Sequence, residues 1–237
     1  MRGKRHQATS LLDTPRYFRD DAYRNVVSIR VSQDLFDDLS ANPTDWEAAI
    51  RLESHTKPRD PLPALNRAFE KHYLAAIDFP FSRSWTATRY SDGSFGVWYG
   101  SPRLETTVFE TVYHFCIQLK DAGFDQGEPV IRERKVYRVE VDALVFDLRG
   151  KVEQAPDLVH PSDYRLCQSI GLRIRDRHAG LITRSARCDG DCLAIFAPRH
   201  LSDPRLHCYL TYIYEPAHRR VRVQRQPGRD WLRIASP

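Results

Sequence analysis

The stretch that decides the fold is residues 101–121, SPRLETTVFETVYHFCIQLKD. Ser101 is a favourable helix cap, and Pro102 suits the first helical position, where its missing N–H is no loss. Apolar residues then recur at helical spacing, at Leu104, Val108, Val112, Phe115 and Leu119. The sequence therefore predicts a helix that ends near Asp121, with Gly123 just beyond it.

Strand patterns lie on both sides of this helix. Before it, residues 89–99 are rich in aromatic residues and glycine, which predicts two short strands around a turn at Asp92-Gly93. After it, strands are predicted at Lys135–Val141, where apolar and charged residues alternate, and at Leu144–Leu148.

The rest of the chain is predicted to form one more helix and several strands. Ser162 and Asp163 open the helix, which should stop around Gly180. The further strands are predicted at Leu181–Thr183, Leu193–Phe196, Cys208–Tyr214, Arg220–Arg225 and Trp231–Ile234. Many strands combined with two long helices predict a mixed α/β (α+β) domain.

The N-terminal part differs from the remainder because it is polar and interrupted by prolines. Residues 44–47, TDWE, form a capping box that predicts a helix to about residue 55. A second helix is predicted within residues 63–74. We therefore divide the chain into a partly helical extension, residues 1–75, and a main domain, residues 76–237.

Composition limits the class of protein. The 237 residues are 41% hydrophobic, enough for a sizeable core, which excludes a disordered chain. No run reaches the roughly 18 apolar residues of a membrane span, and no apolar segment of a secretory signal follows the basic N-terminus, so we expect a cytoplasmic protein. The five scattered cysteines are expected to be reduced thiols. The net charge of +5 favours anionic partners without choosing among nucleic acid, a phosphorylated ligand and an acidic protein.

A first group of candidate functional residues lies in residues 89–100, RYSDGSFGVWYG. Arg89 offers a guanidinium fork that suits a diphosphate, and the aromatic rings suit stacking on a flat heterocycle. The helix that follows begins close by, and a helix N-terminus favours anions. The alternative interpretation is a core hairpin with a surface arginine.

Glu110 is the second candidate. It lies off the apolar stripe of its helix, and Thr106, Thr107 and His114 share its face. A carboxylate in that position could accept a hydrogen bond from a ribose hydroxyl or stabilise positive charge that develops on a sugar ring. The alternative is a solvated helix face.

Ser185 is the third candidate, at the end of a short predicted strand in residues 180–187, GLITRSAR. The surroundings differ from the Gly-x-Ser-x-Gly turn of hydrolases, so the hydroxyl is not expected to form an acyl intermediate. A hydroxyl that orients a ligand or another side chain fits better.

Together these three segments resemble the RES-domain family, named for its Arg, Glu and Ser. The Arg of the family matches Arg89, a Tyr ten residues later matches Tyr99, the helical Glu matches Glu110, and the downstream Ser matches Ser185. The resemblance covers roughly residues 80–200. Tyr90-Ser91 stands where the family often has Trp-Asn, and Arg184 stands where it often has Pro.

The resemblance implies an ADP-ribosyltransferase-like core of short strands in packed sheets with flanking helices. It also implies a toxin that breaks the nicotinamide–ribose bond of NAD⁺, with water or inorganic phosphate as acceptor and no metal, and that a cognate antitoxin holds inactive. A homo-oligomer is left open. The implied catalytic residues are Arg89, Glu110 and Ser185, and the implied ligand-binding residues are Arg89, Tyr99, Tyr90 and His114.

Two other functions stay open at this point. The same residues could transfer ADP-ribose to a macromolecule, because the two reactions differ in the acceptor. The basic segment 219–225, RRVRVQR, could bind nucleic acid directly, although a solvated edge strand or a docking surface for an acidic antitoxin explains it as well.

A zinc site is the weakest candidate. Cys188 and Cys192 are separated by three residues, and His200, His207 and Cys208 follow, but no second close cysteine pair completes a structural site. A turn at Asp189-Gly190 between two strands explains the segment without a metal.

Overall fold

The computed structural model describes residues 11–28, 72–82, 85–124 and 126–237. In these residues, strands form one eight-stranded sheet. The strands are β1 Pro15–Val27, β2 Trp98–Gly100, β3 Val130–Asp147, β4 Gly180–Arg184, β5 Asp191–Ile195, β6 Leu201–Glu215, β7 Arg220–Gln226 and β8 Arg229–Ala235. Their order is β2-β5-β4-β3-β6-β7-β8, and β1 pairs with β3 off this path. Only β3 and β4 run parallel among these pairs. The predicted mixed α/β class is confirmed.

The central strand β3 is longer than the sequence predicted. Residues 130–147 form one strand where two were expected. Buried and exposed residues alternate along it, and Val141, Ala143 and Val145 are all buried. Asp142 does not interrupt the strand because it points outward, where the hydroxyl of Tyr17 on β1 donates to its Oδ1 at 2.5 Å.

Among the described residues, three α-helices flank the sheet: α1 Phe79–Ser82, α2 Leu104–Asp121 and α3 Arg165–Ile174. A short π-helix, Leu74–Asp78, leads directly into α1. The prediction for α2 is confirmed, and all five residues of its apolar stripe are buried. They pack against Val136 of β3, Leu210 and Tyr212 of β6 and Val221 of β7. Gly123 follows the helix with φ +74°, a conformation that favours glycine. None of the described helices has the length and apolar character to cross a membrane.

Two local predictions are wrong. Residues 85–97 form no strand, so the expected hairpin is a loop that leads into β2. Its side chains bond to its own backbone, as where Ser91 Oγ donates to the carbonyl of Phe95 at 2.6 Å, and such local bonds compete with strand pairing. The second long helix begins at Arg165 and ends at Ile174, and Gly180 already belongs to β4.

The N-terminal prediction lies almost wholly outside the described residues, including the capping box at 44–47 and most of the helix within 63–74. The strand β1 was not predicted. It pairs antiparallel with β3 from Pro15↔Phe146 to Val27↔Arg134. The division of the chain at residue 75 stays a prediction, while residues 15–27 are a strand of the main sheet.

Strands β4 and β5 separate two cores. Leu181 and Ala194 point into a core that α3 covers, through Ile170 and Ile174. The alternate residues Ile182, Leu193 and Ile195 point into a second core, which residues 72–82 cover with Ala76 and Ile77. Because side chains of a strand alternate between faces, both faces of this hairpin are fixed by packing. The loop between the two strands is therefore held firmly in place.

Candidate functional site

A pocket of about 390 Å³ lies where β1, β2, β4 and β5 meet the N-terminal half of α2. The loop before β2 and Tyr164 complete its walls. This volume is in the range of small-molecule sites. Five of the six sequence-predicted site residues line it: Arg89, Tyr90, Tyr99, Glu110 and His114.

The sixth residue, Ser185, is joined to the pocket through Glu110. Its Oγ donates to Glu110 Oε1 at 2.6 Å, although the two residues are 75 positions apart. The serine is 8% exposed, and its Oγ accepts the backbone N–H of Arg187 at 3.0 Å. The Ser185 oxygen thus accepts one hydrogen bond, and its hydroxyl hydrogen is donated to the carboxylate. Ser185 is therefore bonded to another side chain of the site, and its role in orienting Glu110 for a ligand stays a prediction.

A glycine allows this contact. The turn between β4 and β5 is closed by Ser185, whose N–H donates to the carbonyl of Gly190 at 2.7 Å. A Cβ at Gly190 would lie 2.1 Å from Thr106 Oγ1 on α2, far inside van der Waals contact. Only glycine lets the turn approach the helix so closely, and this approach places Ser185 beside Glu110. The predicted turn at Asp189-Gly190 is confirmed.

Arg89 lies on the loop before β2 and is half-buried. Its Nη1 donates to the carbonyls of Leu158 at 3.3 Å and His160 at 3.0 Å, and its guanidinium stacks 4.5 Å from the centre of the Tyr164 ring. Among the described residues no carboxylate pairs with it. Its remaining N–H groups can therefore bind an anion in the pocket.

Tyr99 and Tyr90 are held in different ways, Tyr99 by hydrogen bonds of its hydroxyl and Tyr90 by packing of its ring. The Tyr99 hydroxyl accepts the backbone N–H of Tyr90 at 3.0 Å and shares a hydrogen bond with Thr88 Oγ1 at 2.8 Å. Burial raises the pKa of Tyr99 to about 12, so this phenol is neutral. The Tyr90 ring is 1% exposed and packs in the core with Leu158 and Ile170. Its role in ligand binding stays a prediction.

His114 follows Glu110 by one helical turn, at the mouth of the pocket. Loss of hydration lowers its pKa, and the charges of Arg187 and Arg89 act in the same direction against the opposing effect of Glu110. The imidazole is therefore neutral at pH 7, with one nitrogen able to accept a proton.

Arg24 of β1 is a pocket residue that the sequence did not reveal. Its Nη1 donates to the carbonyl of Tyr99 at 2.8 Å, and its Nε is buried without a partner among the described residues. Burial lowers the pKa of Arg24 to about 10, with a further contribution from the charge of Arg134, so it stays positive at pH 7. An unpaired buried guanidinium is costly without a ligand to bind it.

A polar network lies beneath Arg24. Arg134 is 6% exposed and donates from Nε to Asn25 Oδ1 at 2.7 Å. The amide of Asn25 donates in turn to the Tyr212 hydroxyl at 2.9 Å. No carboxylate of the described part of the chain pairs with Arg134, so this side of the pocket carries excess positive charge. The pocket as a whole suits an anionic ligand with a hydroxyl group for Glu110.

Three of the four arginines in residues 219–225 are engaged within the protein. Arg220 and Arg222 each donate from Nε to Glu215 at 2.7 Å, so both lie on one face of β7. Arg222 also pairs with Asp230 at 3.0 Å. Arg225 stacks 3.7 Å from the centre of the Trp231 ring. Because Arg220, Arg222 and Arg225 are already paired or stacked, these three are poor candidates for phosphate contacts.

A metal site finds no geometric support where the structure is described. Across residues 11–28, 72–82, 85–124 and 126–237, no three side chains of His, Cys, Asp or Glu come together as metal ligands would. Cys192 instead lies beside Glu110, with 3.7 Å between Sγ and Oε1.

Comparison with known proteins gives a clear family match and a remote structural similarity. No curated protein matches the sequence. A chain in the crystal structure of the M. tuberculosis MbcT–MbcA toxin–antitoxin complex has a TM-score of 0.48 and 11% sequence identity, over 92% of this chain and 94% of that chain.

The clear similarity is at the level of the protein family. The RES domain matches residues 64–215, more than half of the chain, and these residues include Arg89, Glu110 and Ser185. The protein belongs to the RES domain family.

Proposed function

We propose that the protein degrades NAD⁺ by cleaving the bond between nicotinamide and ribose. The observation that carries the proposal is the Glu110–Ser185 contact of 2.6 Å at one side of a pocket that also contains two unpaired arginines. Membership of the RES domain family supports the same reaction, since the family resemblance implies NAD⁺ as substrate.

Glu110 has the chemistry that this reaction needs. When the bond from ribose C1 to the nicotinamide nitrogen breaks, the electron pair leaves with nicotinamide and positive charge develops on the ribose ring. A carboxylate fixed beside the ring stabilises that charge, and it can accept a hydrogen bond from a ribose hydroxyl. Ser185 holds one oxygen of this carboxylate, so the group is oriented before the substrate arrives.

The pocket arginines, Arg24 and Arg89, are proposed to hold the diphosphate of NAD⁺. Neither has a carboxylate partner within the described residues. One guanidinium group can donate two parallel hydrogen bonds to the oxygens of a phosphate. Binding the diphosphate places the nicotinamide ribose at a fixed distance from these residues, which supports its delivery to Glu110.

The remaining predicted residues border the ligand. The neutral ring of Tyr99 is proposed to lie against the nicotinamide. His114 is proposed to contact the ligand at the pocket mouth, one turn from Glu110. The acceptor, water or inorganic phosphate, forms its new bond to ribose C1 and loses a proton to solvent.

The biological setting is part of the proposal. RES-like enzymes that destroy NAD⁺ need restraint, and the family resemblance favours a toxin with a cognate antitoxin in the cytoplasm. The net charge of +5 favours an acidic antitoxin surface.

The test is to incubate the purified chain, freed of bound partners, with NAD⁺ in the presence and absence of inorganic phosphate. We expect release of nicotinamide, with ADP-ribose as the product if water is the acceptor and ADP-ribose 1″-phosphate if phosphate is. NAD⁺ labelled in the adenine ring distinguishes NAD⁺ degradation from the alternative function, transfer of ADP-ribose to a macromolecule. Label on protein or nucleic acid identifies a transferase. Folded, partner-free protein that releases no nicotinamide contradicts the proposal.

A further inference from the structure

Cys192 occupies a position from which it can act on the catalytic carboxylate. It is the second residue of β5 and pairs in register with Thr183 of β4. It lines the pocket, as do Thr183 and Ala194. Side chains two residues apart on a strand share a face, so Cys192 lies on the same face of β5 as Ala194, and both border the ligand space.

The thiol and the hydroxyl of Ser185 approach the same oxygen of Glu110. Ser185 Oγ lies 2.6 Å from Oε1, and Cys192 Sγ lies 3.7 Å from Oε1, within hydrogen-bond distance for sulfur. In the described part of the chain, no side chain bonds to the other oxygen, Oε2. One carboxylate oxygen is therefore held from the β4–β5 turn by Ser185 and from β5 by Cys192, and no described side chain holds the second one.

The thiol is the donor in this contact. Burial raises the pKa of Cys192 well above that of a free thiol, and the negative charge of Glu110 raises it further. The sulfur stays protonated across neutral pH, and an ionised carboxylate can only accept. Its hydrogen therefore points at Oε1.

We propose that Cys192 is a positioning residue of the active site, whose thiol holds Oε1 of Glu110 together with Ser185 so that Oε2 faces the ribose. The proposal rests on the proposed function for its catalytic consequence, while the contact itself is independent of the substrate. Its chemical consequence is specific: without the thiol, one of the two donors that hold Oε1 is lost, so Oε2 is no longer fixed toward the ribose.

The experiment compares Cys192→Ala, which removes the donor, with Cys192→Ser, which keeps one. Cys208→Ala serves as the control, because Cys208 is half-buried on β6 and away from the pocket. The first measurement is the ¹³C chemical shift of the Glu110 carboxyl carbon in ligand-free protein at one fixed pH, with the signal assigned by its loss in Glu110→Gln. We expect this signal to move in Cys192→Ala, and to return toward its wild-type position in Cys192→Ser.

The second measurement is kcat/KM for nicotinamide release at neutral pH. We expect about a threefold to tenfold loss in Cys192→Ala, most of which Cys192→Ser recovers. If the cavity left by Ala lowers the melting temperature, Cys192→Val keeps the volume without the donor.

The outcomes separate this inference from the proposed function. An unmoved Glu110 signal in both the Ala and Val variants overturns the role of Cys192, whatever the enzyme does. A moved signal in an enzyme that releases no nicotinamide supports the contact and contradicts the proposed function. An equal loss of activity in the Ala and Ser variants with an unmoved Glu110 signal means that Cys192 acts only by packing, and it overturns the positioning role.

Discussion

The pocket arginines and the arginines of β7 differ in their partners. Arg24 and Arg89 donate only to backbone carbonyls or stack on rings, and no described carboxylate neutralises them. Arg220 and Arg222 share Glu215, and Arg222 also binds Asp230. In sequence the β7 cluster is the more conspicuous of the two. In the structure Arg220 and Arg222 are paired with carboxylates, whereas Arg24 and Arg89 in the pocket are not.

This difference indicates where a ligand belongs. A charge pair within the protein has its hydrogen bonds already, so a ligand gains little by replacing one partner. An arginine held by carbonyls in a pocket still has donors and charge to offer. Density of arginine in the sequence is therefore a weaker guide to function than the absence of a carboxylate beside it.

The sharpest test of this comparison is to remove arginines from both regions. Arg24→Ala and Arg89→Ala should each lower kcat/KM for nicotinamide release by about 10- to 100-fold, because a charge-assisted contact to the diphosphate is lost. ADP-ribose binding measured by calorimetry should weaken in parallel.

Arg222→Ala is the matched variant from the other region. It should leave kcat/KM and ADP-ribose affinity at the wild-type values. If instead Arg222→Ala weakens ligand binding as much as Arg24→Ala does, the distinction between paired and unpaired arginines fails.

The second test concerns the glycine that brings the β4–β5 turn to α2. Gly190→Ala puts a methyl group where Thr106 Oγ1 lies, and we expect it to lower the free energy of unfolding by roughly 1–3 kcal/mol. Activity should fall more than stability explains, because Ser185 moves with the turn. Chemical denaturation and nicotinamide release measure the two effects.

Gly150→Ala is the control for this substitution. A Cβ at Gly150 meets no atom within 4 Å, so stability and activity should stay close to wild type. A Gly190→Ala protein as stable and active as Gly150→Ala would show that the close approach to Thr106 is unimportant.

The smallest expected effect is the pH dependence of the stability that the ion pairs between β7 and β8 contribute. Hydrogen bonds from Gln224 and Arg233, with the charge of Arg222, lower the pKa of Asp230 to about 2. Because the folded-state pKa lies below the unfolded value of about 3.9, the stabilisation is present above pH 4 and is lost as the pH falls through about 2.

Urea midpoints measured between pH 5 and pH 2 should therefore fall less steeply in Asp230→Asn than in wild type. Asp176→Asn, a substitution at a side chain that is 77% exposed, should follow the wild-type curve. Identical slopes in all three proteins would mean that the ion pairs of β7 contribute no pH-dependent stability.

The sequence alone predicted those helices and strands in which buried residues recur at a regular spacing. The stripe from Leu104 to Leu119 predicted α2 because a helix with one buried face repeats apolar residues every three or four positions. The alternation predicted two strands, at Lys135–Val141 and Leu144–Leu148, where the sheet has the single strand β3. Family resemblance supplied Arg89, Glu110 and Ser185, and the structure brings Glu110 and Ser185 into contact.

The rest depends on contacts that no local pattern encodes. Strand β1 has Ala22 as its one fully buried apolar residue, and its polar residues are bound by partners far along the chain, as Asp21 is by Arg138 and Arg205. Arg24 was therefore missed with its strand. Cys192 was considered as a metal ligand because of its spacing from Cys188, whereas its neighbour in the fold is Glu110.

The measurement that tests the central claim most directly is nicotinamide release by wild type and Glu110→Gln, compared at equal concentration and with melting temperatures recorded. The amide keeps the size of the side chain and removes the charge that stabilises the ribose cation. We predict a loss of about 100- to 1,000-fold or more in rate with an unchanged melting temperature. A Glu110→Gln protein that releases nicotinamide at the wild-type rate would contradict the assignment of this pocket as the active site.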